Sequence, residues 1–149
     1  MQMSDFLDQL HKGITTDSPE ATESVGEKLA ACLPVDSTLA LHGDLGVGKT
    51  TFIRGLARKW EINEPITSPT FNLYNLYKGQ RNLLHLDAYR LQSDADIDSL
   101  MLDDFLKSPW CFAIEWPERI AEAIPENAWH LHFNTTPEQV RRIQLKQDK

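Results

Sequence analysis

The stretch GDLGVGKT, residues 43–50, restricts the fold more than any other part of the chain. Gly43, Gly48, Lys49 and Thr50 match the spacing GxxxxGK[ST]. Each residue type has a physical reason to be there. Glycines let the backbone curl so that successive N–H groups point inward around phosphate oxygens. A helix opening near Lys49 adds the positive end of its dipole. The lysine brings a mobile cation to the outer phosphates, and the threonine hydroxyl is a ligand for magnesium. From average residue usage, a chance match in a chain of this length is roughly one in 200. Context narrows that further. The apolar STLALH, residues 37–42, leads into the loop as a buried strand should, and Phe52, Ile53, Leu56, Ala57 and Trp60 follow it at amphipathic-helix spacing. Strand, glycine loop and helix in that order imply a bound nucleoside triphosphate. The plainer alternative is a strand-to-helix turn with no ligand.

The rest of the chain reads as an α/β sandwich with a mixed sheet. Its 149 residues suit a single domain, residues 1–149, with one core. A first helix is expected from Ser18, its cap, with Pro19 in the first turn and Ala21, Val25, Leu29 and Leu33 on one face. FNLYNLY at residues 71–77 and NLLHLD at residues 82–87, separated by the turn at residues 78–81, predict an antiparallel hairpin. Residues 93–107 are acidic, with a helical pattern of Ile97, Leu100, Met101 and Phe105. WCFAIE, residues 110–115, reads as another buried strand, and residues 129–133 and 140–145 as closing strands around a turn. No apolar run approaches the length needed to span a membrane, and the first residues have neither the basic start nor the apolar stretch of a secretory signal. Cys32 and Cys111 match no zinc or redox spacing and read as buried small hydrophobes in a cytoplasmic protein. A net charge of −7 argues against a broad electrostatic grip on nucleic acid. Arg141 and Arg142, the one basic cluster of note, read as a solvated strand end.

A phosphate loop alone binds but does not hydrolyse efficiently; magnesium needs a carboxylate and the attacking water must be oriented. Asp87 and Glu115 each end an apolar strand, where ligands of α/β sheets collect, and either can be the second magnesium ligand. Thr67, Ser68, Pro69 and Thr70 form a hydroxyl-rich segment after the loop helix. It reads equally as a switch folding over the γ-phosphate or as a plain loop stiffened by proline. His85, between Leu84 and Leu86, reads as a structural histidine rather than a base. Arg90 is a candidate phosphate or carboxylate contact, and Trp116 is either core or a partner-binding anchor.

Taken in order, SPEATESVGEKLA, GDLGVGKTTFIRGL, ITSPTFNLY, HLDAYRL and IEWPERI resemble the TsaE family, also called YjeE, across nearly the whole chain. The resemblance implies a P-loop three-layer sandwich and a small bacterial ATPase. It would work with TsaB and TsaD in forming N6-threonylcarbamoyladenosine beside the anticodon of tRNAs that read codons beginning with A. The family's partners carry the transfer chemistry, and ATP hydrolysis resets the complex. By matching motifs, Leu45, Gly46, Val47, Gly48, Lys49, Thr50 and Thr51 would contact ATP, with Thr50 and Glu115 on magnesium. Lys49, Asp87, Glu115 and Thr70 would act in hydrolysis, with Asp87 supporting it and residues 67–70 serving as the switch. Trp116 would be a functional aromatic near nucleotide or partner, and the segment from Ser18 to Thr22 and an arginine near Arg141 would lie toward the adenine. The resemblance further implies contact with tRNA only through the complex, no membrane, and a monomer or weak oligomer when alone.

Two other classes compete. A small-molecule kinase would use the same loop but carries an arginine-rich lid against water, and no such cluster follows this loop. A guanine-nucleotide switch would carry a base-reading N-K-x-D string, and none is present.

Overall fold

The computed structural model describes residues 3–44, 46–69 and 73–146. Leu45, expected at the nucleotide, Thr70, expected in hydrolysis, and Phe71, the expected start of a strand, lie outside the described residues. The described strands form one sheet: β1 (Ile14–Thr16), β2 (Ser37–His42), β3 (Tyr74–Lys78), β4 (Asn82–Asp87), β5 (Trp110–Glu115), β6 (Trp129–Thr135) and β7 (Arg141–Lys146). Their spatial order is β1-β7-β6-β2-β5-β4-β3. The four central strands run parallel, while β3 on one edge and β7 with β1 on the other pair antiparallel. The mixed sheet read from sequence is therefore present, and its parallel centre explains why β2, β4 and β5 are almost continuously apolar.

Strand alternation sorts the side chains into two cores. On one face Leu39, Leu41, Leu83, Cys111, Ala113, Leu131 and Phe133 meet α1 (Met3–Lys12), α2 (Pro19–Cys32) and α3 (Lys49–Lys59). On the other, Leu84, Leu86, Phe112 and Ile114 pack under α4 (Asp94–Ser99) and the 3-10 turns Leu102–Phe105 and Pro117–Ala123. This gives the three expected layers, the second of them thin. Helices α2 and α3 cross closely through two glycines. A Cβ on Gly26 would lie 3.2 Å from the Gly55 Cα, and one on Gly55 would lie 2.8 Å from the Glu23 carbonyl carbon.

Two parts of the sequence reading need correction. First, helix α1 and strand β1 precede the helix at Ser18. Phe6 and Leu10 of α1 are buried against the sheet, Asp5 opens the helix and His11 and Lys12 close it, as its dipole favours. β1 is three residues long and exists through its pairing with β7, a long-range contact without a local signal. Second, the acidic stretch 93–107 is not one helix. It yields six residues of α4 with no buried side chain, then Met101 in the left-handed region (φ 53°) and a 3-10 turn. Asp-rich sequence forms helix poorly, and Met101, expected on the packed face, is 69% exposed, so little burial offsets the propensity. Cys111 is buried as expected, while Cys32 is only half-buried. Among the described residues no helix is long and apolar enough to cross a membrane.

Candidate active site

β2 ends at His42, and the chain turns through the glycine loop into α3. Gly46 (φ 80°) and Gly48 (φ 99°) hold left-handed backbone angles that a Cβ would strain. Gly48 caps α3 with no side-chain hydrogen bond to the helix's first turn. The Gly48 cap offers the leading N–H groups of α3 no side-chain acceptor, which leaves the positive end of the helix to attract an anion. Val47 turns the other way. It is 7% exposed and packs into the helical core, so its side chain anchors the loop from the core side.

Lys49, the first residue of α3, is 3% exposed. Its Nζ donates to the Gly43 carbonyl at 2.5 Å, lies 3.8 Å from Glu115 Oε1 and sits 4.5 Å above the centre of the Trp116 ring. Burial pulls the lysine below its ordinary pKa; the nearby carboxylates of Glu115, Asp87, Glu118 and Asp44 oppose that shift without cancelling it. A polyanion entering here would favour the charged form of the lysine. Asp87 and Glu115 are exact neighbours in the β4–β5 register, which brings the two strand-end acids side by side. Asp87 Oδ1 also accepts from the Tyr89 amide at 3.0 Å, fixing the turn after β4. Trp116 adopts φ 58° and ψ 51°, a left-handed conformation that a bulky residue holds at a cost of about 1–2 kcal/mol. It packs against Tyr89 at a ring separation of 5.0 Å, and Arg119 lies over Tyr89 in turn.

These groups line a cavity of about 790 Å³, within the size range of small-molecule sites. Of the residues singled out from sequence, Ser18, Gly46, Gly48, Lys49, Thr50, Thr51, Ser68, Asp87, Arg90, Glu115, Trp116 and Arg141 all reach its walls, and Tyr89 joins them. Ser18 Oγ accepts from the Ala21 amide at 3.1 Å, so its hydroxyl caps α2 at the cavity edge. The adjacent arginines part company on β7: Arg141 lines the cavity, while Arg142 donates to the Lys12 carbonyl and to Gln144. Both are half-buried, so neither is the freely solvated strand end read from sequence. Thr67 is held from behind. Its amide donates to the Tyr77 hydroxyl at 3.3 Å, and its carbonyl accepts from Asn75 at 3.4 Å. His85, read as structural, is buried against Glu115.

Sequence reasoning missed Thr16, Asp17, Leu73 and Gln139, which also line the cavity. Asp17 was legible beside the Ser18–Pro19 cap. Thr16 belongs to the short β1, where its hydroxyl meets that of Thr22 at 2.7 Å, and Gln139 sits in the β6–β7 turn at φ 64°. Only tertiary pairing brings these to the loop.

The donor set suits a hard, oxygen-seeking cation: two carboxylates and a threonine hydroxyl. Among the described residues no three His, Cys, Asp or Glu side chains form a ready metal cage. Magnesium takes one or two carboxylates and completes its shell with water and substrate phosphates, which this donor set would allow.

Comparison with known proteins gives a consistent result. The family model described as "Threonylcarbamoyl adenosine biosynthesis protein TsaE" matches residues 16–143. A Nostoc protein named tRNA threonylcarbamoyladenosine biosynthesis protein TsaE is 42% identical over 119 residues, covering 76% of this chain and 72% of the relative. Proteins of the same name from Treponema pallidum and Bacillus subtilis are 38% and 32% identical, covering 73% and 86% of this chain and 81% and 80% of the relatives. Among solved structures, one titled "Crystal structure of Bacillus subtilus YdiB" superposes with a TM-score of 0.74 at 30% identity, over 89% of this chain and 82% of that one.

Proposed function

The chain belongs to the TsaE family, and from that premise we propose that it is a magnesium-dependent ATPase of tRNA threonylcarbamoyladenosine biosynthesis, acting on TsaB and TsaD. The observation that carries this reading is the joint placement of an uncapped α3 N-terminus, buried Lys49 and the paired acids Asp87 and Glu115 around one cavity. Binding modules need the first two; hydrolysis needs the acids as well.

In this reading the amides of residues 45–51 cradle the triphosphate, and Lys49 leaves the Gly43 carbonyl for the outer phosphates. Thr50 and Glu115 would hold magnesium, which would neutralise charge that builds up on the phosphates during transfer. Asp87 orients the attacking water, whose oxygen bonds to the γ-phosphorus as the bond to the β-phosphate oxygen breaks, giving ADP and phosphate. Thr70, in the switch at residues 67–70, contributes a hydroxyl toward the γ-phosphate. Ser18 and Arg141 flank the adenosine end together with Thr16 and Gln139. Trp116, strained and stacked over Lys49, reports or transmits the nucleotide state. Arg54 and Arg58 of α3 are engaged elsewhere, Arg54 with the Ile66 carbonyl and Arg58 with Glu23 and Glu27, which supports hydrolysis over kinase chemistry.

Two measurements test the proposal. Calorimetry with magnesium present should detect ATP binding in preference to GTP. Phosphate release without an added acceptor should be slow for the chain alone and should rise with TsaB and TsaD. ATP binding that is absent both alone and with those partners would overturn it.

A further inference from the structure

Strand β4 carries a polar residue where its face calls for an apolar one. Residues 83, 85 and 87 of β4 share the face packed by α3, and Leu83 there belongs to the helical core. The neighbouring positions on β5 are Cys111 and Ala113, both fully buried. His85 sits in this apolar row with no exposure to solvent. Its Nε2 lies 2.6 Å from Glu115 Oε2, while its Nδ1 is buried with no hydrogen-bond partner among the described residues.

The carboxylate of Glu115 only accepts, so the imidazole carries its hydrogen on Nε2 and donates it. That leaves Nδ1 in the core without a partner, a burden an apolar residue would not bring. The histidine therefore does something other than pack. Asp87 lies two residues further along the same face, and Glu115 is paired with Asp87 across the β4–β5 register. From one pleat below Asp87, the imidazole reaches diagonally to the far oxygen of Glu115. The near oxygen, Oε1, is left beside Lys49 at 3.8 Å, beyond hydrogen-bond reach. The carboxylate is thus fixed by one oxygen and offers the other toward the loop.

We propose that His85 is a positioning residue: it holds the Glu115 carboxylate at Oε2 so that Oε1 is presented to magnesium beside the loop. The inference rests on the reading of Glu115 as a magnesium ligand and adds the group that orients it. Partners of this kind, hydrogen-bonded to a ligating side chain, change metal affinity or activity by about 10- to 100-fold when removed. Gln retains a donor near the place of Nε2, whereas Leu fills the volume without one.

The experiment compares His85→Leu, His85→Gln and Glu115→Gln in the full chain with TsaB and TsaD. It measures the magnesium concentration for half-maximal phosphate release, ATP affinity in excess chelator by calorimetry, and thermal melting. His85→Leu should raise the magnesium requirement at least about 10-fold with metal-free ATP affinity unchanged, and His85→Gln should recover most of the loss. A merely structural histidine would weaken metal-free and magnesium-dependent binding together, in both His85 variants, and that result overturns the proposal. So does an unchanged magnesium requirement in His85→Leu when Glu115→Gln raises it. If Glu115→Gln itself leaves the requirement unchanged, the assignment of Glu115 to magnesium fails first and takes the inference with it.

Discussion

Replacing Gly55 with alanine sets two known effects against each other at the crossing of α2 and α3. In a helix interior, alanine is favoured over glycine by about 1 kcal/mol. Packing opposes it. The new Cβ would lie 2.8 Å from the Glu23 carbonyl carbon and 3.1 Å from the Glu23 Cα, and nearer still to the Glu23 oxygen. These are backbone atoms of α2, so no side chain can rotate aside; the two helices must separate. Overpacking of a filled core costs about 1–3 kcal/mol, and a rigid backbone contact belongs at the top of that range. The net expectation is a loss of about 2 kcal/mol, or a fall in melting temperature of about 4–8 °C for a chain of this size. The effect should reach the site, because Ser18, the cap of α2, and Lys49, the first residue of α3, are both on the cavity wall. Thermal denaturation followed by far-UV circular dichroism reads the first part, and ATP calorimetry the second. Gly26→Ala meets the Phe52 and Leu56 backbone on the facing helix, and the double variant should lose less than the sum, since one separation relieves both contacts. A melting temperature that is unchanged or raised in Gly55→Ala would mean that helix propensity outweighs the crossing and that this account of the close approach is wrong.

Lys49→Met should weaken magnesium-ATP binding by about 10- to 100-fold, the worth of a charge-assisted hydrogen bond, without lowering the melting temperature, because the buried charge is itself a burden on the fold; calorimetry and thermal melting together check this. Asp87→Asn should cut ATP hydrolysis by about 100-fold or more while affinity stays within a few-fold, and an equal loss of both in steady-state and binding assays would assign Asp87 to binding instead. Burial raises the Cys111 thiol to about 12, whereas Cys32 is only half-buried, so a thiol reagent at neutral pH should modify Cys32 and reach Cys111 only after unfolding. Modification of both cysteines in the native protein would place Cys111 nearer the surface than the β5 packing allows.

Residues that act through their immediate neighbours in sequence were readable without a fold. The glycine loop, the strand before it and the helix after it are local: Gly46 and Gly48 need left-handed angles, and Phe52, Ile53 and Leu56 need one face of a helix. The strand-end positions of Asp87 and Glu115 follow from where apolar runs stop, and the bounds of β4 and β5 agree with the sequence reading residue for residue. The hairpin of β3 and β4 followed from a short turn between two apolar runs.

What sequence could not supply is set by which strands lie side by side. The Asp87–Glu115 pairing, the His85–Glu115 hydrogen bond, and the arrival of Thr16, Gln139 and Arg141 at the loop all depend on registers between segments far apart in the chain. β1 is too short to announce itself, and α4 is cut short because no buried face rewards a longer helix. His85 shows the division most clearly. Its alternation with leucines predicts that it is buried, but only the β4–β5 register decides that it is buried against a carboxylate, because strand pairing converts sequence distance into a contact of hydrogen-bond length.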